Sequence, residues 1–101
     1  MTKKKCTAEK VTKMIGGRWK ISILWLLMSG TKCYSEIRRF RSEITEKMLT
    51  QQLRELQKDN LIDRKVYAVV PPKVEYSLTP LGKSLKPVLK ALNDWGIKHL
   101  T

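Results

Sequence analysis

Residues 45–58 read Thr45-Glu46-Lys47-Met48-Leu49-Thr50-Gln51-Gln52-Leu53-Arg54-Glu55-Leu56-Gln57-Lys58, and a little further on stand Ile62-Asp63-Arg64-Lys65-Val66-Tyr67 and Val74-Glu75-Tyr76-Ser77-Leu78. In the first stretch Leu49, Leu53 and Leu56 fall at i, i+4 and i+7, the spacing of one buried helical stripe. Lys47, Gln51, Arg54 and Lys58 occupy the opposite face, flanked by Thr50. Thr45 is suited to cap this helix, since its hydroxyl can accept a bond from an unpaired N–H of the first turn. Glu46 then lies at the positive end of the helix dipole. Asn60 follows the helix where a left-handed residue is expected, a conformation that asparagine tolerates. The two later stretches alternate as strands, the second more cleanly than the first. Between them, Ala68 to Lys73 contains Pro71-Pro72, which cannot donate to a strand ladder and so marks the turn of a hairpin.

Upstream, helical spacing predicts a helix from about Thr7 to Ile15, ended by Gly16-Gly17. A second runs from about Trp19 to Met28 and is apolar nearly all round, which predicts burial on nearly all sides. A chain this small can rarely bury one helix so fully by itself, a first hint of a second copy. A short third helix, about Tyr34 to Phe40, turns Tyr34 and Ile37 inward and Arg38, Arg39 and Arg41 outward. Downstream, Thr79-Pro80 is a strong helix start, a capping residue followed by proline at the first helical position. This last helix is expected to reach about His99, with Leu81, Leu85, Val88, Leu92 and Trp95 as one apolar stripe and a kink at Pro87. The order is four helices, two strands and a helix. A short helix, a brief turn, an amphipathic helix and a hairpin make a winged helix-turn-helix, an α+β fold that is mostly α, and residues 1–101 are expected to form a single domain of this type.

Composition narrows the function. The chain has 101 residues, with 21 Lys+Arg against 9 Asp+Glu and a formal net charge of +12. Hydrophobic residues make up 42%, too many for a disordered basic tail. The longest strictly apolar run, Ile23 to Met28, is too short to span a bilayer, and no signal peptide is visible. The reading is a cytoplasmic protein whose partner is a polyanion, with no membrane role. Two cysteines, Cys6 and Cys33, do not make a disulfide framework. With His99 they give no metal-ligand spacing, so no metal and no cofactor are expected. No phosphate-cradling loop or activated-nucleophile motif is present, so the chain is not read as an enzyme.

The residues suited to DNA follow from the pattern. In the major groove Arg and Lys can pair with guanine, Gln with adenine, and Thr with base edges or a thymine methyl. Thr45, Lys47, Thr50, Gln51, Arg54 and Lys58 are therefore the candidates on the recognition helix. Arg38 and Arg39, with Arg41 and Lys32 nearby, suit phosphates, which position a protein without specifying sequence. Arg64, Lys65 and Lys73 are the candidates on the wing. Trp25, Leu89, Leu92 and Trp95, with Val11, are expected at an interface between copies, from their apolarity. Trp19, Trp25 and Trp95 lie on apolar helix faces rather than among basic residues, which argues against a single-stranded RNA platform. A basic RNA-binding or ribosome-associated domain stays as the alternative, and a winged helix used only for protein contact as a third reading.

The chain resembles the HxlR family of bacterial winged-helix transcriptional regulators, relatives of the MarR group. The resemblance rests on Cys6, on Ile15-Gly16-Gly17-Arg18-Trp19-Lys20, on Leu49 to Leu56, on Asp59-Asn60-Leu61-Ile62-Asp63-Arg64, and on the block from Pro71-Pro72-Lys73 to Thr79-Pro80-Leu81-Gly82, with Trp95-Gly96 after it. It implies a homodimer joined through its N- and C-terminal helices, bound to a near-palindromic DNA operator with one recognition helix per half-site. It implies a bacterial regulator, found at the nucleoid when on DNA, and leaves repression or activation open. The chain departs from the family pattern at Cys33-Tyr34, at Ser42-Glu43-Ile44-Thr45 and at Asn60. In several members a cysteine near Cys6 senses oxidants, quinones or aldehydes, which implies a small electrophile or oxidant as effector. Lys3, Lys4, Lys5 and Lys10 surround Cys6, and nearby positive charge favours the reactive thiolate form of a cysteine. The plainer alternative is a half-buried cysteine that packs an interface and senses nothing.

Overall fold

A computed structural model describes residues 6–100, so Lys3, Lys4 and Lys5 beside Cys6 lie outside the described residues. Helix α1 spans Thr7–Ile15 and α2 spans Lys20–Leu27. Strand β1 is Lys32–Cys33, followed by α3 (Tyr34–Phe40) and α4 (Glu46–Lys58). The hairpin pairs β2 (Ile62–Tyr67) with β3 (Lys73–Leu78), and α5 (Pro80–Lys83) and α6 (Lys86–Leu100) complete the chain. The fold is a winged helix-turn-helix, mostly helical with a small antiparallel sheet in the order β1-β3-β2.

Each element has a local cause. Thr45 accepts a bond from Met48 N–H at 3.1 Å and so caps α4. Leu49, Leu53 and Leu56 are all buried against the core, contributing about 1.5–3 kcal/mol each by removal from water. That burial, rather than the propensity of a helix this short, holds α4 in place. Asn60 takes a φ of 61° and ends the helix in the left-handed region, as its side chain permits. Gly17, at φ 89°, turns the chain between α1 and α2.

A clasp ties the end of α4 to the root of the hairpin and to α5. Thr79 Oγ1 donates to the Asn60 carbonyl at 2.7 Å and accepts from Gly82 N–H at 2.9 Å. Thr79 N–H bonds the Leu61 carbonyl at 3.1 Å. Gly82 packs so closely on this turn that a Cβ there would run into the Leu61 carbonyl oxygen, so the clasp requires glycine.

The structure corrects several expectations. A third strand, β1, pairs Lys32 with Tyr76 and Cys33 with Glu75, and two residues carry no periodicity that could have announced it. The single C-terminal helix is two helices, broken at Ser84-Leu85. Pro87 would clash with the Lys83 carbonyl and cannot donate to it, so the break falls a turn earlier and proline enters the first turn of α6, where its missing N–H costs nothing. Leu89, expected at an interface between copies, is 1% exposed and belongs to the chain's own core. Helix α2 is not buried all round, since Trp25 is exposed. Arg41 does not look out with its neighbours: it is half-buried, bonds Ser22 Oγ at 3.2 Å and pairs with Glu43 at 3.5 Å.

Candidate nucleic-acid interface

The exposed face of α4 and the hairpin enclose a groove. Its larger part, a cleft of about 1090 Å³, is lined by Thr50, Arg54, Gln57 and Lys58 from α4, by Cys33, Tyr34 and Ser35, and by Arg64, Pro72, Lys73, Val74 and Tyr76 from the wing. A second concavity of about 500 Å³ continues along α4, lined by Tyr34, Glu46, Lys47, Thr50, Gln51 and Arg54. Tyr34, Thr50 and Arg54 line both, so the two form one channel. The fold thus brings together Lys47, Thr50, Gln51, Arg54, Lys58, Arg64 and Lys73 from two separated stretches of sequence. Cationic groups on both walls of an open groove can neutralise phosphates, and hydroxyl, amide and guanidinium groups between them can meet base edges.

Other candidates stand elsewhere. Thr45 is spent on the cap of α4. Arg38 donates to the Ser42 carbonyl at 3.0 Å and closes the turn after α3, while Arg39 is exposed. On β2, successive side chains point to opposite faces. Arg64 sits opposite Tyr76 and lines the cleft. Lys65 therefore points to the other face, where its ammonium lies 4.9 Å from the centre of the Tyr67 ring. Lys73, opposite Tyr67 in the ladder, lies by register on the Lys65 face; it borders the cleft from the start of β3 and pairs with Glu75 at 3.3 Å.

Two carboxylates near this groove are held well in their charged form. The Cys33 N–H donates to Glu36 at 2.8 Å and is the main reason the Glu36 pKa lies below its ordinary value. Glu55 is lowered first by its hydrogen bond to Lys20, then by Gln51. Lys20 is the residue that sequence reading missed. It lies in an apolar stretch, yet its side chain is only 8% exposed and its Nζ lies 2.7 Å from Glu55 Oε1. The only sequence signal was a lysine interrupting the run from Trp19 to Met28.

Away from the groove, α6 presents an apolar face. Leu92 is 50% and Trp95 59% exposed, and together with Pro87, Val88 and Ala91 they line a shallow trough. Leu92 also borders a second depression formed with Trp25, Ile21 and Phe40. Val11, by contrast, is half-buried against the core. Cys6 is exposed, and Cys33 is half-buried with its Sγ 3.2 Å from Ser35 Oγ. Among the described residues no helix is long and apolar enough to cross a membrane.

A short helix packed beside an amphipathic helix whose polar face meets a cationic hairpin defines the winged helix-turn-helix transcriptional regulators, which bind DNA. Within that class the chain belongs to the HxlR-like helix-turn-helix family, matched over residues 14–101. The HTH-type transcriptional regulator YkvN of Bacillus subtilis is 52% identical, over 95% of this chain and 81% of its own length. Among solved structures, the HTH-type transcriptional regulator ytcD superposes with a TM-score of 0.89 at 49% identity, covering 95% of this chain and 98% of that one. The redox regulator HypR in its oxidised form gives 0.88 at 43% identity, covering 95% and 99%. Family and relatives are transcriptional regulators, not enzymes.

Proposed function

We propose that this regulator acts as a homodimer on a near-palindromic DNA operator, with one α4 in the major groove of each half-site and the wing against the adjoining backbone. The observation that carries this reading is the convergence of Arg54 and Lys58 on α4 with Arg64 on the wing around one groove, with Lys73 at its edge. Specific contacts come from the exposed side chains of α4, chiefly Gln51 and Arg54, and phosphate contacts from the lysines and the wing. The apolar face of α6 supports a second copy. Contiguous exposed apolar surface of this kind marks an interaction site, and a twofold pair would let each copy cover the Leu92 and Trp95 of the other. With Leu89 committed to the core and Val11 half-buried against it, the proposed interface rests on Trp25, Leu92 and Trp95.

Cys6 is proposed as the site of a response to an oxidant or electrophile. It is exposed at the start of α1, with Lys10 one turn along, and the similar protein HypR is a redox regulator with a solved oxidised form. A competition assay tests the main reading. Labelled protein, offered duplexes selected from a random pool against structured RNA, is expected to prefer a duplex with inverted-repeat symmetry. A preference for the RNA would replace this reading with the RNA-binding one. For the response, Cys6→Ser is expected to bind the selected duplex normally and to ignore a thiol oxidant that weakens or strengthens wild-type binding. An undiminished response in the variant would remove Cys6 from the mechanism.

A further inference from the structure

Gln51 is not a loose side chain on the recognition helix. Its Nε2 donates to Glu55 Oε2, one helical turn on, at 3.1 Å. The other carboxylate oxygen, Glu55 Oε1, lies 2.7 Å from Lys20 Nζ. Lys20 comes from α2 and its side chain is only 8% exposed, whereas Glu55 is 41% exposed beside the groove wall. Three residues thus form a chain from the interior of the protein to the groove wall that Gln51 lines.

We propose that Lys20 and Glu55 are positioning residues that fix the amide of Gln51 as a reader of adenine in the major groove. The inference rests on the reading of α4 as the DNA-contacting helix. A glutamine amide has one acceptor end and one end with two donors. An ionised carboxylate only accepts, so Glu55 can hold Gln51 in one of its two flips, nitrogen end inward. One N–H is then committed, and the remaining N–H and Oε1 are left together. That donor–acceptor pair is the complement of adenine N7 and its N6 amino group. Lys20 completes the arrangement in two ways. Its ammonium keeps the carboxylate ionised and aimed, and it offsets a negative charge that would otherwise stand on a phosphate-facing helix. Burial makes the arrangement rigid, because Lys20 removed from water cannot leave its partner cheaply. Gln51 consequently arrives at DNA already oriented, without losing rotamer freedom on binding.

The test uses full-length protein and a preferred duplex selected from a random pool. Affinities are measured by fluorescence anisotropy for that duplex, for every single-base change in one half-site, and for unrelated duplex. Gln51→Ala is expected to abolish an adenine preference of about tenfold at one position per half-site. The paired variant Lys20→Met/Glu55→Leu, which leaves no buried charge unpartnered, is expected to lose most of that same preference while binding unrelated duplex at least as well as wild type. Glu55→Gln, whose amide can face Gln51 either way, is expected to lose it in part, and serves should the paired variant fold poorly. A purely structural role for the pair would weaken binding to all duplexes alike and leave the base preference standing. Retention of the adenine preference in both Glu55 variants, with Gln51→Ala losing it, would overturn the proposal. So would a Gln51→Ala protein whose base preferences match wild type. Failure of wild type to select any duplex would instead bring down the DNA-binding reading on which the proposal rests.

Discussion

Arg64 and Lys65 are neighbours on β2 with equal charge, yet the strand sends one into the groove and the other to the opposite face. Replacing each by alanine therefore separates the proposed phosphate contact of Arg64 from a surface charge. Each neutralised phosphate contributes about 0.9 to the slope of log affinity against log salt. The proposed dimer carries two copies of Arg64, so Arg64→Ala is expected to flatten that slope by about 1.8. Over a fourfold rise in salt, wild type should then lose about twelvefold more affinity than the variant. Lys65→Ala should change the slope by no more than a few tenths, because its ammonium rests over the Tyr67 ring away from the cleft. Anisotropy titrations with one duplex between about 50 and 200 mM salt give both slopes. Equal slopes for the two variants would refute the assignment of the wing's cleft face to DNA, and a change of about half the expected size would indicate one contact per complex rather than two.

Three further outcomes are expected. Thr79→Val removes a hydroxyl that caps α5 and bonds the Asn60 carbonyl, stranding buried groups, and should cost about 2 kcal/mol in urea unfolding at fixed protein concentration; a cost under about 0.5 kcal/mol would show that the clasp contributes little. Leu92→Asp/Trp95→Asp should sediment as a monomer with a near wild-type far-ultraviolet circular dichroism spectrum, because both side chains are half exposed in the single chain, and a persistent dimer would place the interface elsewhere. The pKa of Glu55 lies below its ordinary value of 4.5 in the folded chain, chiefly through Lys20, so its contribution to stability is present above that value and lost as pH falls through the lower folded one. Acid unfolding of wild type should accordingly show a limb in that window that Lys20→Met/Glu55→Leu lacks, and superimposable profiles would show that the pair is not coupled to folding.

Much of this molecule was legible in the chain because its signals are local. Leu49, Leu53 and Leu56 announce α4 by spacing, Thr45 and Thr79-Pro80 announce helix starts by chemistry, and Pro71-Pro72 marks the wing turn by what proline cannot do. The groove residues of α4 followed from being opposite the leucines. What stayed hidden depends on partners far away in sequence. Strand β1 exists only because β3 lies beside Lys32 and Cys33, and Lys20 can be buried only because Glu55 meets it. Arg41 looked like a third outward arginine until Ser22 and Glu43 engaged it. The apolar residues of α6 show the same limit. Leu89 and Leu92 are one turn apart and chemically alike, and periodicity cannot say which faces the chain's own core and which is left for another copy. The break before Pro87 was signalled, but its place was set by the carbonyl that the proline ring must avoid.

The clasp at Thr79 has a consequence for how operators can differ. Because the end of α4, the root of the wing and the first turn beyond it share one knot of bonds with no room even for a methyl group at Gly82, the reading surface cannot swivel against the segment that leads to α6. In a dimer joined through α6, the two reading surfaces then behave like the points of a calliper whose legs are stiff. Their separation is set by where the legs meet, at Leu92 and Trp95, and by the joint at Ser84-Leu85. In the proposed dimer, which bases are read and how far apart the two readings lie would be independent properties, so a relative built this way could change the spacing of its half-sites through α6 without altering a single residue of the groove.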